Sequence, residues 1–301
     1  MTRASLRRNR TPRRAPSSRL LLVPALCVAL TGGAAWGAQA IPSAPTQTET
    51  AGIALSASAA TDARFERLTK EIVPLIKPYD IGVSITDHRS GRRWSYRGAR
   101  ATNQASMVKL GTSVALFLTA DRQGRAVTSQ ERTWMRRALQ VSDNPAQDAL
   151  WSRIGSHDGY ARAMADMGLS EATKPVKGRS WGLTLSTPND QVKLMTALLE
   201  GDSPLKEADA KWLLTTMRGV AKGQTWGAAP FGSDEGRTIE VKNGWSPYRP
   251  SNRWRLTSVG HIKDSRHDYT IAILSNGWRT SGAGIPKLDA VGWQVYRILG
   301  Y

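Results

Sequence analysis

Residues 61–301 change hydrophobic period four times, from helix to strand to helix, back to strand and again to helix, and this order restricts the fold more than any other feature of the chain. Phe65, Leu68, Ile72 and Ile76 recur at helical spacing, and Pro74 bends or ends that first helix. Two alternating runs, Ile81 to Thr86 and Trp94 to Tyr96, flank Arg89-Ser90-Gly91 and predict a β-hairpin. The middle is helical. Met107 to Ala120 reads as a largely apolar helix, and Thr128-Ser129-Gln130-Glu131 is a capping box that opens the next helix. Pro145 to Ile154 and Asp158 to Met167 follow, the second closed by Gly168. Thr187-Pro188-Asn189-Asp190 then places a capping threonine, a first-turn proline and an acidic residue ahead of Val192 to Leu199. After a helix near Ala208 to Met217, strands return at Thr238–Val241, Trp254–Ile262 and Tyr269–Leu274, and a last helix runs from Leu288 to Leu299. The pattern predicts an α/β (α+β) fold: one antiparallel sheet flanked by the N- and C-terminal helices, with an all-helical lobe inserted between its two halves.

The first sixty residues stand apart. Seven arginines and no acidic residue precede an apolar run from Leu20 to about Thr31, and Ala38-Gln39-Ala40 follows. Basic, apolar, then small-x-small is the order of a secretory signal peptide, predicted over residues 1–40. A membrane anchor is the competing reading, but a run of about twelve residues falls short of the roughly 20 that span a bilayer. Arg7-Arg8 and Arg13-Arg14 leave twin-arginine export open beside the general route. The only cysteine, Cys27, lies inside this segment behind Leu26, where a lipid-attachment site wants a small residue, so it is read as filler and the mature chain as free of disulfides. Residues 41–60, rich in Ala, Ser, Thr and Pro, are expected to be a flexible spacer, and residues 61–301 the folded domain.

Without those seven arginines the net charge falls from +18 to +11. The basic residues are scattered, with no Lys/Arg run interleaved with aromatics, which argues against a nucleic-acid partner. For an exported chain, a polyanionic cell-envelope polymer is the more natural partner, and a merely solvated basic surface the plainest reading. The protein is expected to be a monomer, secreted or associated with the envelope. None of the four histidines has metal-ligand spacing, and there is no Walker loop or dinucleotide fingerprint, so neither a metal nor a cofactor is expected.

Ser106-Met107-Val108-Lys109 opens the long apolar helix. A serine and a lysine three residues apart share a helix face, so the amine reaches the hydroxyl. A lysine neutralised by burial can then take the serine proton. The spacing alone proves little, since Ser-x-x-Lys arises by chance about once in 300 residues. Ser142-Asp143-Asn144 stands between two helices, and Lys242-Asn243-Gly244, followed by Trp245, ends the Thr238–Val241 strand.

With these three elements in this order, residues 61–301 resemble the serine β-lactamases and penicillin-recognising DD-peptidases, whose marks are Ser-x-x-Lys, Ser-Asp-Asn and Lys-Thr-Gly. In layout the class A β-lactamases are the nearest branch. The resemblance implies that Ser106 is acylated, that Lys109 takes its proton, and that Ser142 relays a proton to the leaving nitrogen. Asn144 would hold the substrate amide, Lys242 and Asn243 its carboxylate, and the backbone N–H groups of Ser106 and Trp245 the oxyanion. It implies a β-lactam or a peptidoglycan-type D-alanyl peptide as ligand. Asp143 is expected to brace a turn.

Three departures qualify the likeness. Asn243 replaces the usual threonine. The stretch between Ser106 and Ser142 is shorter than in class A enzymes. The loop that carries a deacylating glutamate there reads Glu171-Ala172-Thr173-Lys174-Pro175 here, without Leu-Asn, and no carboxylate follows between Ala172 and Asn189. Glu171 is therefore a poor candidate base, and slow deacylation is expected. A superfamily fold that binds an envelope ligand without turnover is the alternative. Gly178-Arg179-Ser180-Trp181-Gly182 matches the Gly-x-Ser-x-Gly elbow, but Lys174-Pro175-Val176-Lys177 ahead of it is no buried strand, so it is read as a turn.

Overall fold

A computed structural model of the chain describes residues 63–232, 236–248 and 251–301. The expected signal peptide and spacer lie outside the described residues. Helix α1 spans residues 63–76 and leads into strands β1 (Asp80–Asp87) and β2 (Arg93–Tyr96), which pair antiparallel with Val83 opposite Tyr96. After the short strand β3 (Thr102–Asn103) come α2 (Val108–Arg122), α3 (Ser129–Gln140), α4 (Asn144–Arg153) and α5 (Ser156–Asp166). Strand β4 (Leu185–Ser186) pairs with β3 and leads to α6 (Pro188–Glu200) and α7 (Glu207–Arg218). Strands β5 (Thr238–Tyr248), β6 (Arg253–Lys263) and β7 (Asp268–Trp278) and helix α8 (Ser281–Leu299) complete the chain. The sheet order is β2-β1-β7-β6-β5, antiparallel throughout.

Each sheet face is covered by its own core. Phe65, Leu68, Ile72 and Ile76 of α1 and Leu288, Val291, Val295 and Ile298 of α8 pack against Ile81, Val83 and Ile85 of β1 and Ile271 and Ile273 of β7. The opposite face, through Val259, Ala272 and Leu274, meets the helical lobe, whose centre is α2. Thirteen consecutive residues of α2, Val108 to Ala120, are buried, which accounts for its lack of an amphipathic pattern. The Thr128–Glu131 capping box forms as expected, Thr128 Oγ1 accepting from Glu131 N at 3.2 Å and Thr128 N donating to Glu131 Oε2 at 2.8 Å.

Two element boundaries differ most from expectation. β5 does not end at Val241 but continues to Tyr248, so Lys242-Asn243-Gly244 is mid-strand. Gly244 and Pro247 look like terminators in sequence. However, β5 is the sheet edge, where a missing N–H need not break a ladder bond. Gly244 is required for a different reason: a Cβ there would meet Gln104 O and stand 2.6 Å from Met107 N. Its absence lets β5 close against the turn that carries Ser106. Helix α8 begins at Ser281 rather than Leu288, capped by Thr280 Oγ1, which accepts from Ala283 N at 3.1 Å. Gly282, Gly284 and Pro286 hide that start in the sequence. A Cβ on Gly284 would lie 2.6 Å from the Trp278 ring, so glycine lets the helix end seat on the sheet.

Candidate active site

Ser106 lies in a 3₁₀ turn (Ala105–Met107) that runs directly into α2. The turn is held from both sides. Gln104 N donates to Thr184 O at 2.8 Å, and Gln104 O accepts from Thr257 Oγ1 of β6 at 2.7 Å. Two non-glycine residues here adopt left-handed backbone, Ala105 (φ 49°) and Ser142 (φ 58°). Such conformations cost on the order of 1–3 kcal/mol each and gather at functional sites. Ser142 is kept in place by the helix that follows: Asp143 caps α4 by accepting from Ala146 N at 2.7 Å and from Arg137 Nη2 at 2.8 Å. Those bonds, with Ala146 N–H foremost, hold its carboxyl below the usual range.

Four side chains converge. Lys109 Nζ lies 3.1 Å from Ser106 Oγ and 3.2 Å from Ser142 Oγ, and Lys242 Nζ lies 3.2 Å from Ser142 Oγ. Lys109 also donates to two pure acceptors, Ser142 O at 2.6 Å and Asn144 Oδ1 at 2.8 Å. Burial pushes the Lys109 amine down to about 8, although the charges of Asp143 and Asp148 pull the other way. A neutral amine has two N–H groups and one lone pair. With both N–H groups committed to the acceptors, the lone pair is left toward the serine hydroxyls. Lys242 is fully buried and donates to Asn243 O at 2.7 Å, and burial followed by the Lys109 charge lowers its amine well below the usual range.

Asn243 is not brought into this group. Its Nδ2 donates to Gln224 O at 2.9 Å and Trp226 O at 3.1 Å, so both N–H groups are spent on the loop behind β5. Alternation along the strand turns Asn243 away from the face on which Lys242 points. Asn144 faces Lys109, while Trp245 and Ser106 line the same cleft of about 820 Å³. Arg255 of β6, which the sequence reading overlooked, also lines it. Its guanidinium stacks on Tyr248 at 4.3 Å, and its buried Nη2 has no hydrogen-bond partner among the described residues.

The cleft wall opposite β5 is the Gly178–Gly182 stretch. Ser180 is exposed and caps a single 3₁₀ turn (Trp181–Leu183), accepting from Gly182 N at 3.2 Å, so it is no nucleophile elbow. Trp181 covers Lys109, its ring centroid 5.1 Å from Nζ, and Trp181 Nε1 donates to Asp148 Oδ1 at 2.7 Å. Asp148 stands four residues after Asn144 on α4, a spacing that could have flagged it. Among the described residues lining the cleft there is no carboxylate. Glu171 sits exposed in the turn after α5 and is not a lining residue. Asp190 is buried and fully engaged, accepting from Ser170 N, Ser170 Oγ and Thr173 Oγ1 at 3.0, 2.6 and 2.6 Å.

This chain has the fold of the class A β-lactamases. It superimposes on the TLA-1 extended-spectrum β-lactamase with a TM-score of 0.68 at 14% identity, covering 78% of this chain and 98% of that one. A class A β-lactamase from Bacteroides cellulosilyticus gives 0.67 at 16% identity, with the same coverage. A β-lactamase from Chitinophaga pinensis gives 0.65 at 13% identity, covering 77% of this chain and 97% of that one. In sequence the chain is 26% identical over 200 residues to proteins named "Putative lipoprotein LppW" from Mycobacterium bovis and Mycobacterium tuberculosis. The match takes in 65% of this chain and 62% of theirs, less than two thirds of the relatives' length. No family model matches the chain.

Proposed function

We propose that this protein is an exported serine hydrolase that forms an acyl-enzyme on Ser106 with a β-lactam or a D-alanyl peptide-type amide and releases it slowly. The observation that carries the reading is the position of Lys109 Nζ, 3.1 Å from Ser106 Oγ and 3.2 Å from Ser142 Oγ, with its N–H groups occupied elsewhere. The neutral Lys109 amine takes the Ser106 proton as Oγ attacks the carbonyl carbon. The developing oxyanion is received by the backbone N–H groups of Ser106 and Trp245, where loss of one donor typically costs about 10²–10³ in rate. Lys109 returns the proton through Ser142, whose hydroxyl hydrogen passes to the departing nitrogen as the C–N bond breaks. Lys242 Nζ, 3.2 Å from Ser142 Oγ, holds that hydroxyl in place for the relay.

Asn243 is left out of the carboxylate site in this mechanism. Arg255 takes that place, since an unpartnered buried guanidinium N–H suits a carboxylate oxygen. Export is supported by the order of basic, apolar and small residues at the N-terminus, and an envelope location by the lipoprotein name of the mycobacterial relatives. A peptidoglycan-type peptide is the natural substrate class for such a location. Fluorescent-penicillin labelling tests the reading: the wild-type protein is labelled and Ser106→Ala is not, at closely similar thermal stability. Equal labelling of Ser106→Ala rules it out.

A further inference from the structure

A second cluster of chemically capable side chains lies at the other end of the strand ladder and shares no residue with the cleft. His88 follows β1, His261 is on β6 and Asp268 opens β7. One ligand atom from each lies within 4.8 Å of the other two. Both rings are oriented in the same way. His88 Nδ1 stands 3.2 Å from Glu200 Oε1 at the end of α6, and His261 Nδ1 stands 2.8 Å from Glu240 Oε2 on β5. An Nδ1–H donated to a carboxylate fixes the tautomer and leaves Nε2 as the lone-pair atom, the usual second layer around a metal-bound histidine.

Both Nε2 atoms then face the start of β7. His261 Nε2 lies 2.9 Å from Asp268 Oδ1, and His88 Nε2 lies 2.8 Å from Thr270 Oγ1, two residues further along the same face. A lone pair and a carboxylate oxygen at 2.9 Å repel unless something cationic sits between them. A proton or a metal ion meets that need. Asp268 Oδ2 is separately engaged by Lys263 Nζ at 2.6 Å, leaving Oδ1 for the cluster.

We infer that His88 Nε2, His261 Nε2 and Asp268 Oδ1 form a binding site for a divalent transition cation, best suited to zinc, with water in the fourth position. Zinc bonds of about 2.0–2.2 Å place tetrahedral ligand atoms roughly 3.3–3.6 Å apart, so small side-chain rotations bring the present separations into range. The ion replaces the proton between His261 and Asp268, which leaves to solvent. Through Glu200 and Glu240 it ties the end of α6 to β1, β5, β6 and β7. Positions 88, 261 and 268 have no ligand spacing in sequence because the fold, not the local chain, assembles them, and this site runs against the expectation of no metal.

The test uses untagged full-length chain, stripped with a chelator and titrated with Co²⁺ and then Zn²⁺. One equivalent of Co²⁺ should give tetrahedral d–d absorption that one equivalent of Zn²⁺ abolishes, with a rise in thermal midpoint. Asp268→Asn and His88→Gln should lose the spectrum, while His157→Gln, whose ring contacts Arg179 O instead, should keep it. Glu200→Gln alters a half-exposed residue that touches no metal and should weaken binding about 10-fold. If His88→Gln fails to fold, Glu200→Gln decides. Absence of stoichiometric binding, or a spectrum unchanged in Glu200→Gln and Asp268→Asn, overturns the site.

Discussion

The Trp181 ring lies 5.1 Å from Lys109 Nζ, on a cleft wall that presents no carboxylate among the described residues. Acylation and hydrolysis need different help: the first uses Lys109 and the oxyanion donors, the second a base that holds water against the acyl group. The described residues lining the cleft offer no carboxylate for that second task. A penicilloyl adduct on Ser106 should therefore decay slowly compared with the ~10–10³ per second of ordinary enzymes. Stopped-flow acylation followed by adduct mass over time measures this, and Glu171→Gln should leave the lifetime unchanged.

The Lys109 amine governs the pH dependence of acylation. Its pKa is lowered to about 8, so the neutral base grows as pH rises through that value. The second-order acylation rate should rise from about pH 6, reach half its maximum near pH 8 and level off above about pH 9. Lys109→Ala should lose at least about 10²-fold, the lower end of what a general base contributes. A rate already flat from pH 6 would assign the base elsewhere.

Arg255 and Asn243 should separate cleanly. Arg255→Ala removes a hydrogen-bond donor from the cleft and should lower acylation by a substrate bearing a carboxylate about 10–100-fold, the equivalent of a charged hydrogen bond of ~1.5–3 kcal/mol. An ester analogue without that carboxylate should show little difference between Arg255→Ala and wild type. Asn243→Ala removes the bonds to Gln224 O and Trp226 O and should cost ~1–3 kcal/mol of stability. The folded Asn243→Ala protein should discriminate between the two substrates as the wild type does.

What the sequence disclosed was whatever short-range pattern encodes. The capping box at Thr128 and Glu131, the Thr187 cap of α6 and the Ile81–Tyr96 hairpin depend on residues close in the chain, and the structure contains each of them. The sheet's antiparallel sense followed from the order of periods. The full length of β5 stayed hidden because Gly244 and Pro247 are terminators in an isolated strand, and only the edge position and the approach of the Ser106 turn explain them. The cleft divided in the same way. Ser106 and Lys109 share one helical face and could be paired from spacing. Arg255, Trp181 and Asp148 reach the cleft from β6, a loop and α4, and no local spacing joins them. Asn243 was given to the carboxylate because the strand was expected to end at Val241, and alternation places it opposite Lys242 only once β5 continues through both residues.

The central claim is covalent chemistry at Ser106, and intact-protein mass spectrometry after incubation with a penicillin tests it most directly. Ring opening loses no atoms, so the wild-type chain should gain the full mass of one penicillin molecule. Peptide mapping should place that mass on Ser106, and Ser106→Ala should gain none. An unmodified wild-type mass under saturating penicillin, or an equal gain in Ser106→Ala, would contradict the account.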